Sequence, residues 1–466
     1  MKVAFLSLLS LALVVQLARA EDWPQWRGAN RDGRMSGFVA PASWPKELTK
    51  KWQVEVGDGV ATPALVGDKL YVYTRQKGEE ILRCLDAKTG DEKWKDSYTA
   101  SANFTGDAGF QGPRSSPAVA SGRVVTLGVT GVLSCYDANS GKVLWRKEDF
   151  KNNVPMFHTS SSPLIVEGLA IAQFGGGGGG GRGGRGGFPG GGGGGGSGGI
   201  VAYDLESGDE KWKWTGDGAS YASPAVMKVG DTQVIFSVGS QKLVAVNAAD
   251  GKLLWDVQYN QGRYNSASPI IDGQTLIYAG PSRGVTAEKV EMKEGKLVTS
   301  EAWKHDGASV QFNTPVLRDG VLYGISNMGS IFAVSADGGK LAWSSGGTPA
   351  PERGPEARPA EGERGPGERG GPGGRGPGGR GPGGFGPGGM RGGRGGGGGY
   401  GSVVDAGKVL FALTPSGKLI VFEPSDKEFK QLASYEVGSN TYAYPIPSGN
   451  GVYVKDKDHV TFWTVE

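Results

Sequence analysis

The residues best suited to hold a ligand recur at long, regular intervals. Val60, Arg114, Ser160, Tyr221, Ser266, Phe312, Tyr400 and Tyr442 each stand three positions before the second residue of a repeated dipeptide described below. Among them, Arg114, Tyr221, Phe312, Tyr400 and Tyr442 could stack on a flat or sugar-like ligand and hydrogen-bond its rim, since aromatic rings offer apolar faces and a guanidinium offers a fork of donors. No comparable set points to catalysis. His158, His305 and His459 are scattered, with no second His or Cys at zinc-ligand spacing. Lys455-Asp456-Lys457-Asp458 lacks the Gly turn of a calcium loop and reads as a solvated charged loop. Asp107, Asp149, Asp217 and Glu436 fall on long loops without pairing, and no Ser–His–Asp arrangement is recoverable. The Gly runs lack the strand-to-helix context of a phosphate loop.

The elements that would position these residues are repeats. A Ser/Thr-Pro pair opens each unit: Thr62-Pro63, Ser116-Pro117, Ser162-Pro163, Ser223-Pro224, Ser268-Pro269 and Thr314-Pro315, with Ser402-Val403 and Tyr444-Pro445 as degenerate copies. Each is followed by a short apolar strand, a Gly or Asp turn, an alternating strand, a loop and a third strand. The unit closes on D-x3-G-x3-W, as in Asp86/Gly90/Trp94, Asp137/Gly141/Trp145 and Asp204/Gly208/Trp212; Asn247/Gly251/Trp255 and Ser335/Gly339/Trp343 vary only the first position. Gly supplies the positive φ of a tight hairpin, and Asp or Asn bonds the local backbone. A Trp at a fixed offset buries a large surface between neighbouring units, so Trp52, Trp94, Trp145, Trp212, Trp255 and Trp343 are structural and not ligand contacts.

Four strands per unit and a 40–55-residue period describe an all-β, eight-bladed β-propeller. The chain ends after the third strand of the last unit, and Leu48–Val56, with Trp52 ahead of the first Thr-Pro, supplies a fourth. The last blade is therefore closed by an N-terminal strand, which removes exposed sheet edges. Turns at one end of the blades are tight, whereas the long segments, including two Gly-rich inserts at 175–199 and 346–400, share the other end. The repeated positions from Val60 to Tyr442 then crowd the mouth of the central channel on that loop-rich face. The inserts are too poor in apolar residues to offset their ordering entropy, and their composition predicts disorder.

These repeats resemble those of the pyrroloquinoline-quinone (PQQ) type, shared by quinoprotein alcohol dehydrogenases and by the propeller lipoprotein of the outer-membrane assembly machinery. The resemblance covers about 48–466 outside the inserts. Asp22-Trp23-Pro24-Gln25-Trp26-Arg27-Gly28 and Asn30-Arg31-Asp32-Gly33 resemble the opening of exported bacterial PQQ-like repeat proteins. For the dehydrogenases the resemblance implies a quinone held between a Trp and a disulfide of adjacent cysteines, with calcium on Glu, Asn and Asp side chains. This chain has only Cys84 and Cys135, 51 positions apart, so half of that sandwich is missing.

Compartment and charge narrow the function. Lys2, the apolar run Val3–Val15 and Ala18-Arg19-Ala20 read as a secretory signal peptide over 1–20, leaving 21–47 as an N-terminal extension and 48–466 as the propeller. No other stretch is long and apolar enough to span a bilayer, and no Cys near residue 20 could take a lipid. Formal charge is +3, to which the leader and inserts contribute a net +7, so the remainder stands at −4 and lacks the basic face of a nucleic-acid binder. The expectation is a periplasmic or secreted monomer without cofactor, binding an envelope protein or polysaccharide through its loop-rich face. A PQQ- and calcium-dependent dehydrogenase acting on alcohols or sugars is the alternative, and a hydrolase on the same scaffold is a third reading.

Overall fold

A computed structural model describes residues 21–102, 110–176, 198–259, 265–280, 284–346 and 400–466. The leader, nearly all of both Gly-rich inserts, and Asp107 lie outside them. The described residues contain strands and no helix, arranged as eight four-stranded antiparallel sheets. Seven sheets follow simple chain order, such as Ala64–Val66, Lys69–Gln76, Glu79–Asp86 and Glu92–Thr99 in the first. The eighth joins Ile446–Ser448, Gly451–Lys455 and His459–Thr464 to the N-terminal strand Thr49–Glu55, with Val54 opposite Val460 and Trp52 opposite Phe462. The ring thus closes by pairing residues from opposite ends of the sequence, as the strand count predicted.

Strands of three to five residues at the Ser/Thr-Pro pairs and their degenerate copies are innermost and touch their neighbours around the channel. Their heads are tied by a belt of hydrogen bonds. The backbone N–H of Ser116 donates to Ser162 Oγ (3.0 Å), that of Ser162 to Ser223 Oγ (2.9 Å), that of Ser223 to Ser268 Oγ (2.8 Å), and that of Ser268 to Thr314 Oγ1 (3.0 Å). The series resumes across the closure, where Tyr444 N–H donates to Thr62 Oγ1 at 2.9 Å. The hydroxyls of Thr62, Ser162, Ser223, Ser268 and Thr314 each satisfy a buried donor in the preceding blade, which explains Ser or Thr at these five positions, whereas Ser116 Oγ accepts none; Pro fixes φ at the strand entry and needs no acceptor of its own.

Further out, the tryptophans seat against the motif glycines of the next blade. A Cβ on Gly141 would lie 2.4 Å from Trp94, and one on Gly208 2.6 Å from Trp145, so both positions require glycine for contact as well as for their φ of +73° and +75°. Trp52 meets Gly90 and Trp212 meets Gly251 in the same way. Indole N–H groups of Trp52, Trp145 and Trp212 donate to the carbonyls of Ala87, Leu205 and Ala248 in the next blade. Trp343 bonds the Ser425 carbonyl beside Phe422 and Phe429, and Trp255 packs in the core between blades four and five. The fifth blade carries one more member, Trp303, which pairs with Ala287 and rests on Gly339. Its hairpin, Gly284–Lys293 with Lys296–His305, is longer than the others, so a fixed D-x3-G-x3-W spacing passes over it. The motif aspartates act as turn formers: Asp137 Oδ1 accepts from Asn139 N, Ser140 N and Ser140 Oγ, bonds that hold its carboxyl below the usual range.

The belt generates a direct test. Ser223→Ala leaves the buried Ser162 N–H without an acceptor and should cost about 1–3 kcal/mol, read as a lowered urea midpoint, while Ser223→Thr should restore most of it. An unchanged midpoint for the alanine variant would show that the belt contributes nothing.

Candidate ligand site at the channel mouth

Three of the repeated positions ahead of the inner strands, Phe312, Tyr400 and Tyr442, form one stacked row. Phe312 stacks on Tyr400 with centroids 4.1 Å apart and planes 7° from parallel, and Tyr400 stacks in turn on Tyr442 at 4.2 Å and 17°. Phe110 closes the row edge-on against Tyr442 at 4.9 Å. On the other side Tyr221 lies against Phe157, and its hydroxyl accepts the Phe157 N–H at 3.2 Å. Arg114 ties the two halves together: Nη1 donates to the Phe157 carbonyl at 2.5 Å and Nη2 to the Phe110 carbonyl at 3.2 Å. Burial lowers the Arg114 pKa, and the nearby Tyr400, Tyr221, Asp58 and Tyr442 oppose that shift. No carboxylate among the described residues forms an ion pair with it. Val60 is buried, its N–H on the Pro113 carbonyl; Ser160 Oγ donates to the Tyr221 carbonyl; Ser266 is half-buried.

This geometry alters what the mouth can offer. Both faces of Tyr400 are covered by Phe312 and Tyr442, so the row presents ring edges and not a central open platform. The loop carboxylates are engaged elsewhere: Asp149 accepts from Tyr203 Oη (2.9 Å), and Asp217 accepts from Ser240 Oγ, Gln241 N and Lys242 N. Glu436 is exposed at the end of Gln431–Glu436.

Lys455-Asp456 corrects the reading of a solvated loop. Lys455 is 1% and Asp456 7% exposed. The Lys455 ammonium donates to the carbonyls of Gly57 (3.3 Å), Gly59 (2.7 Å) and Lys457 (2.9 Å) and to that of Asp456, stapling the last blade to the first. Burial pushes its pKa down to about 7, against the opposing charges of Asp456, Asp458 and Asp58. The charge alternation looked hydrophilic, but Lys455 ends an entirely buried strand, Gly451–Lys455. A second buried network lies between blades one and two, where Glu80 accepts from Tyr73 Oη (2.8 Å), Tyr98 Oη and Val129 N (2.7 Å), and burial raises its pKa.

The opposite end of the channel is filled by the N-terminal extension. Trp23 exchanges backbone hydrogen bonds with Leu65, Pro24 O accepts from Val119 N, Met35 N donates to Asp405 O, and Val39 N donates to Gly449 O. Arg27, fully buried, donates to the carbonyls of Thr314 (2.5 Å), Pro315 (2.7 Å), Asp32 (2.8 Å) and Arg31 (3.3 Å). Arg31 reaches the carbonyls of Pro163 (3.0 Å) and Ser162 (3.3 Å), and both guanidiniums lie over Trp26. The segment therefore engages blades one, two, three, six, seven and eight. In the sequence this segment stood out only through Asp22–Gly28 and Asn30–Gly33, which resemble the opening of exported PQQ-like repeat proteins, with no place in the ring assigned to it.

A family model described as outer membrane protein assembly factor BamB matches residues 24–188 and 193–345. The chain belongs to this family of PQQ-like propellers. Within it, the chain is 24% identical over 324 residues to BamB of Yersinia pestis, covering 64% of this chain and 70% of that protein. It is also 24% identical over 270 residues to the tetrathionate hydrolase of Acidithiobacillus ferrooxidans, covering 53% of this chain and spanning 46% of that protein, about half its length. The crystal structure of the quinohemoprotein alcohol dehydrogenase of Comamonas testosteroni superposes with a TM-score of 0.59 at 15% identity, over 95% of this chain and 80% of that one. At that identity the likeness establishes the fold alone.

Arg27→Met would strand four carbonyls along the channel and should lower stability by about 3 kcal/mol, with Arg27→Lys a poor rescue because a point charge cannot span them. Urea unfolding followed by tryptophan fluorescence measures this, and a midpoint equal to wild type would show the plug to be dispensable.

Proposed function

We propose that this chain is a non-catalytic propeller of the bacterial envelope that binds protein or polymer through its loop-rich face. The observation that carries the reading is the chemistry of the mouth: one half-buried guanidinium, Arg114, without a carboxylate partner among the described residues, framed by the rings and hydroxyls of Tyr221, Tyr400 and Tyr442 beside Phe312. Such a set recognises a ligand by donors and apolar edges. Among the described residues the nearby carboxylates are engaged: Asp149 and Asp217 are committed to Tyr203 and to a turn, and Asp58 accepts from the Gln111 and Gly112 N–H groups. Kinship with an outer-membrane assembly factor supports an exported protein, in the periplasm or beyond the cell, with envelope partners.

The second reading, a PQQ-dependent dehydrogenase, is favoured by the fold shared with the Comamonas enzyme. The residues present do not assemble the constellation that the resemblance implies. Cys84 and Cys135 are free thiols buried in the cores between blades, where burial pushes both up to about 12, and neither faces the mouth row. The motif tryptophans are seated against neighbouring blades. No reaction step is therefore derived through the quinone.

Two measurements separate the readings. Purified protein mixed with PQQ, calcium and a dye acceptor should oxidise short alcohols and aldoses no faster than a blank without protein. In binding assays against purified envelope polysaccharide and periplasmic domains of the outer-membrane assembly machinery, Arg114→Ala with Tyr442→Ala should weaken the affinity at least about tenfold. Asp68→Ala, at the tight-turn end, should leave it unchanged. Dye reduction that disappears in the Arg114→Ala variant would reverse the ranking.

A further inference from the structure

Beyond the mouth, the deeper channel carries a charge imbalance. Arg27 and Arg31 are 0% and 6% exposed, stand over the same Trp26 ring, and among the described residues have no carboxylate at ion-pair distance. Two like charges buried together are costly unless hydrogen bonds and counter-charge compensate them. For Arg27 the protein does this completely, because Nε, Nη1 and Nη2 together meet four carbonyls and the Tyr444 hydroxyl, five acceptors for five protons. Arg31 is different. Its Nη1 meets Gln25 Oε1 and the Pro163 carbonyl, and its Nη2 meets only the Ser162 carbonyl. Its Nε is buried and has no partner.

The unused donors do not stand alone. Ser161 Oγ, adjacent in sequence to the Ser162 carbonyl that Arg31 binds, is buried without a partner, as are Ser115 Oγ and Ser116 Oγ in the neighbouring blade. Ser116 is fixed beside Ser162 by its N–H bond to Ser162 Oγ at 3.0 Å. Desolvation, and then the charge of Arg27, push the Arg31 pKa down to about 9, which still leaves it cationic at neutral pH. A buried cation with an unused donor, linked through Ser162 to blades whose serine hydroxyls are also unused, has the chemistry of an anion receptor, and the Nε–Nη2 edge of a guanidinium is the fork that takes a small anion side-on.

We infer that the channel interior holds a small inorganic anion, a halide or a compact oxyanion, against the Nε–Nη2 edge of Arg31, with hydroxyls from Ser161 and the Ser115-Ser116 pair close by. The anion supplies the counter-charge that the plug lacks and locks the extension into the ring. The guanidinium of this site is that of Arg31 on the N-terminal extension, not Arg114, and the inference does not depend on the proposed function.

The experiment uses the full chain. After exhaustive dialysis into sodium gluconate, an anion too large for the site, the protein is melted in chloride, nitrate or gluconate at constant ionic strength. Wild type should gain at least about 2 °C between low and high chloride or nitrate, because a ligand bound only by the folded state raises the midpoint. A gain in chloride alone identifies a halide site, and a gain in nitrate alone an oxyanion site. Arg31→Met should lose the gain. Since that variant could fail to fold, crystals of wild type grown in bromide provide the second readout, an anomalous peak within hydrogen-bond distance of Arg31 Nε, with ion chromatography of dialysed protein detecting an anion too tightly held to exchange. Equal melting in all three salts, with no bromide peak and no retained anion, would overturn the inference and leave a water at Arg31 Nε.

Discussion

Hydrogen bonds at the heads of the inner strands hold this ring together. From blade two to blade six and across the closure from eight to one, an N–H in one blade needs an acceptor and the Ser or Thr hydroxyl of the next blade supplies it. Because both partners are buried, a missing link costs more than a made link contributes, which turns a chain of modest bonds into a cooperative constraint. The Trp-on-Gly contacts act at larger radius and in the same direction around the ring. Both series have to cross the seam, and the pairing of Thr49–Glu55 with His459–Thr464 lets them, with Lys455 gripping the carbonyls of Gly57 and Gly59 as an internal cation.

The two ends of the channel serve different purposes. The extension enters from the tight-turn end, and its arginines reach the heads of the inner strands, where their charge is met mainly by backbone carbonyls that hold blades together. At the loop end stand Arg114 and a row of aromatics, with Asp58 near enough to act on the Arg114 charge. On the proposed function, one scaffold separates stability from recognition along its axis.

Architecture was legible in the sequence because it repeats: strand openings, turn glycines and the shared last blade all follow from periodicity. The convergence of Arg114, Tyr221, Phe312, Tyr400 and Tyr442 was legible for the same reason, whereas the mutual stacking that covers Tyr400 depends on side-chain directions that spacing does not encode. Features outside the period were not legible. Trp303 sits on a lengthened hairpin, Arg27 and Arg31 lie in a segment with no second copy, and Lys455 looks hydrophilic until the carbonyls around it are known. The Ser and Thr hydroxyls were found as punctuation, and only the geometry between blades reveals them as acceptors.

Native-state hydrogen exchange tests the cooperative ring most directly. The account predicts that the amides of Ser162, Ser223, Ser268 and Tyr444 and those of Thr49–Glu55 exchange only through one global opening, with the same free energy and the same denaturant dependence. Exchange of the Thr49–Glu55 and Tyr444 amides through a separate, cheaper opening, while the other blades stay protected, would contradict it.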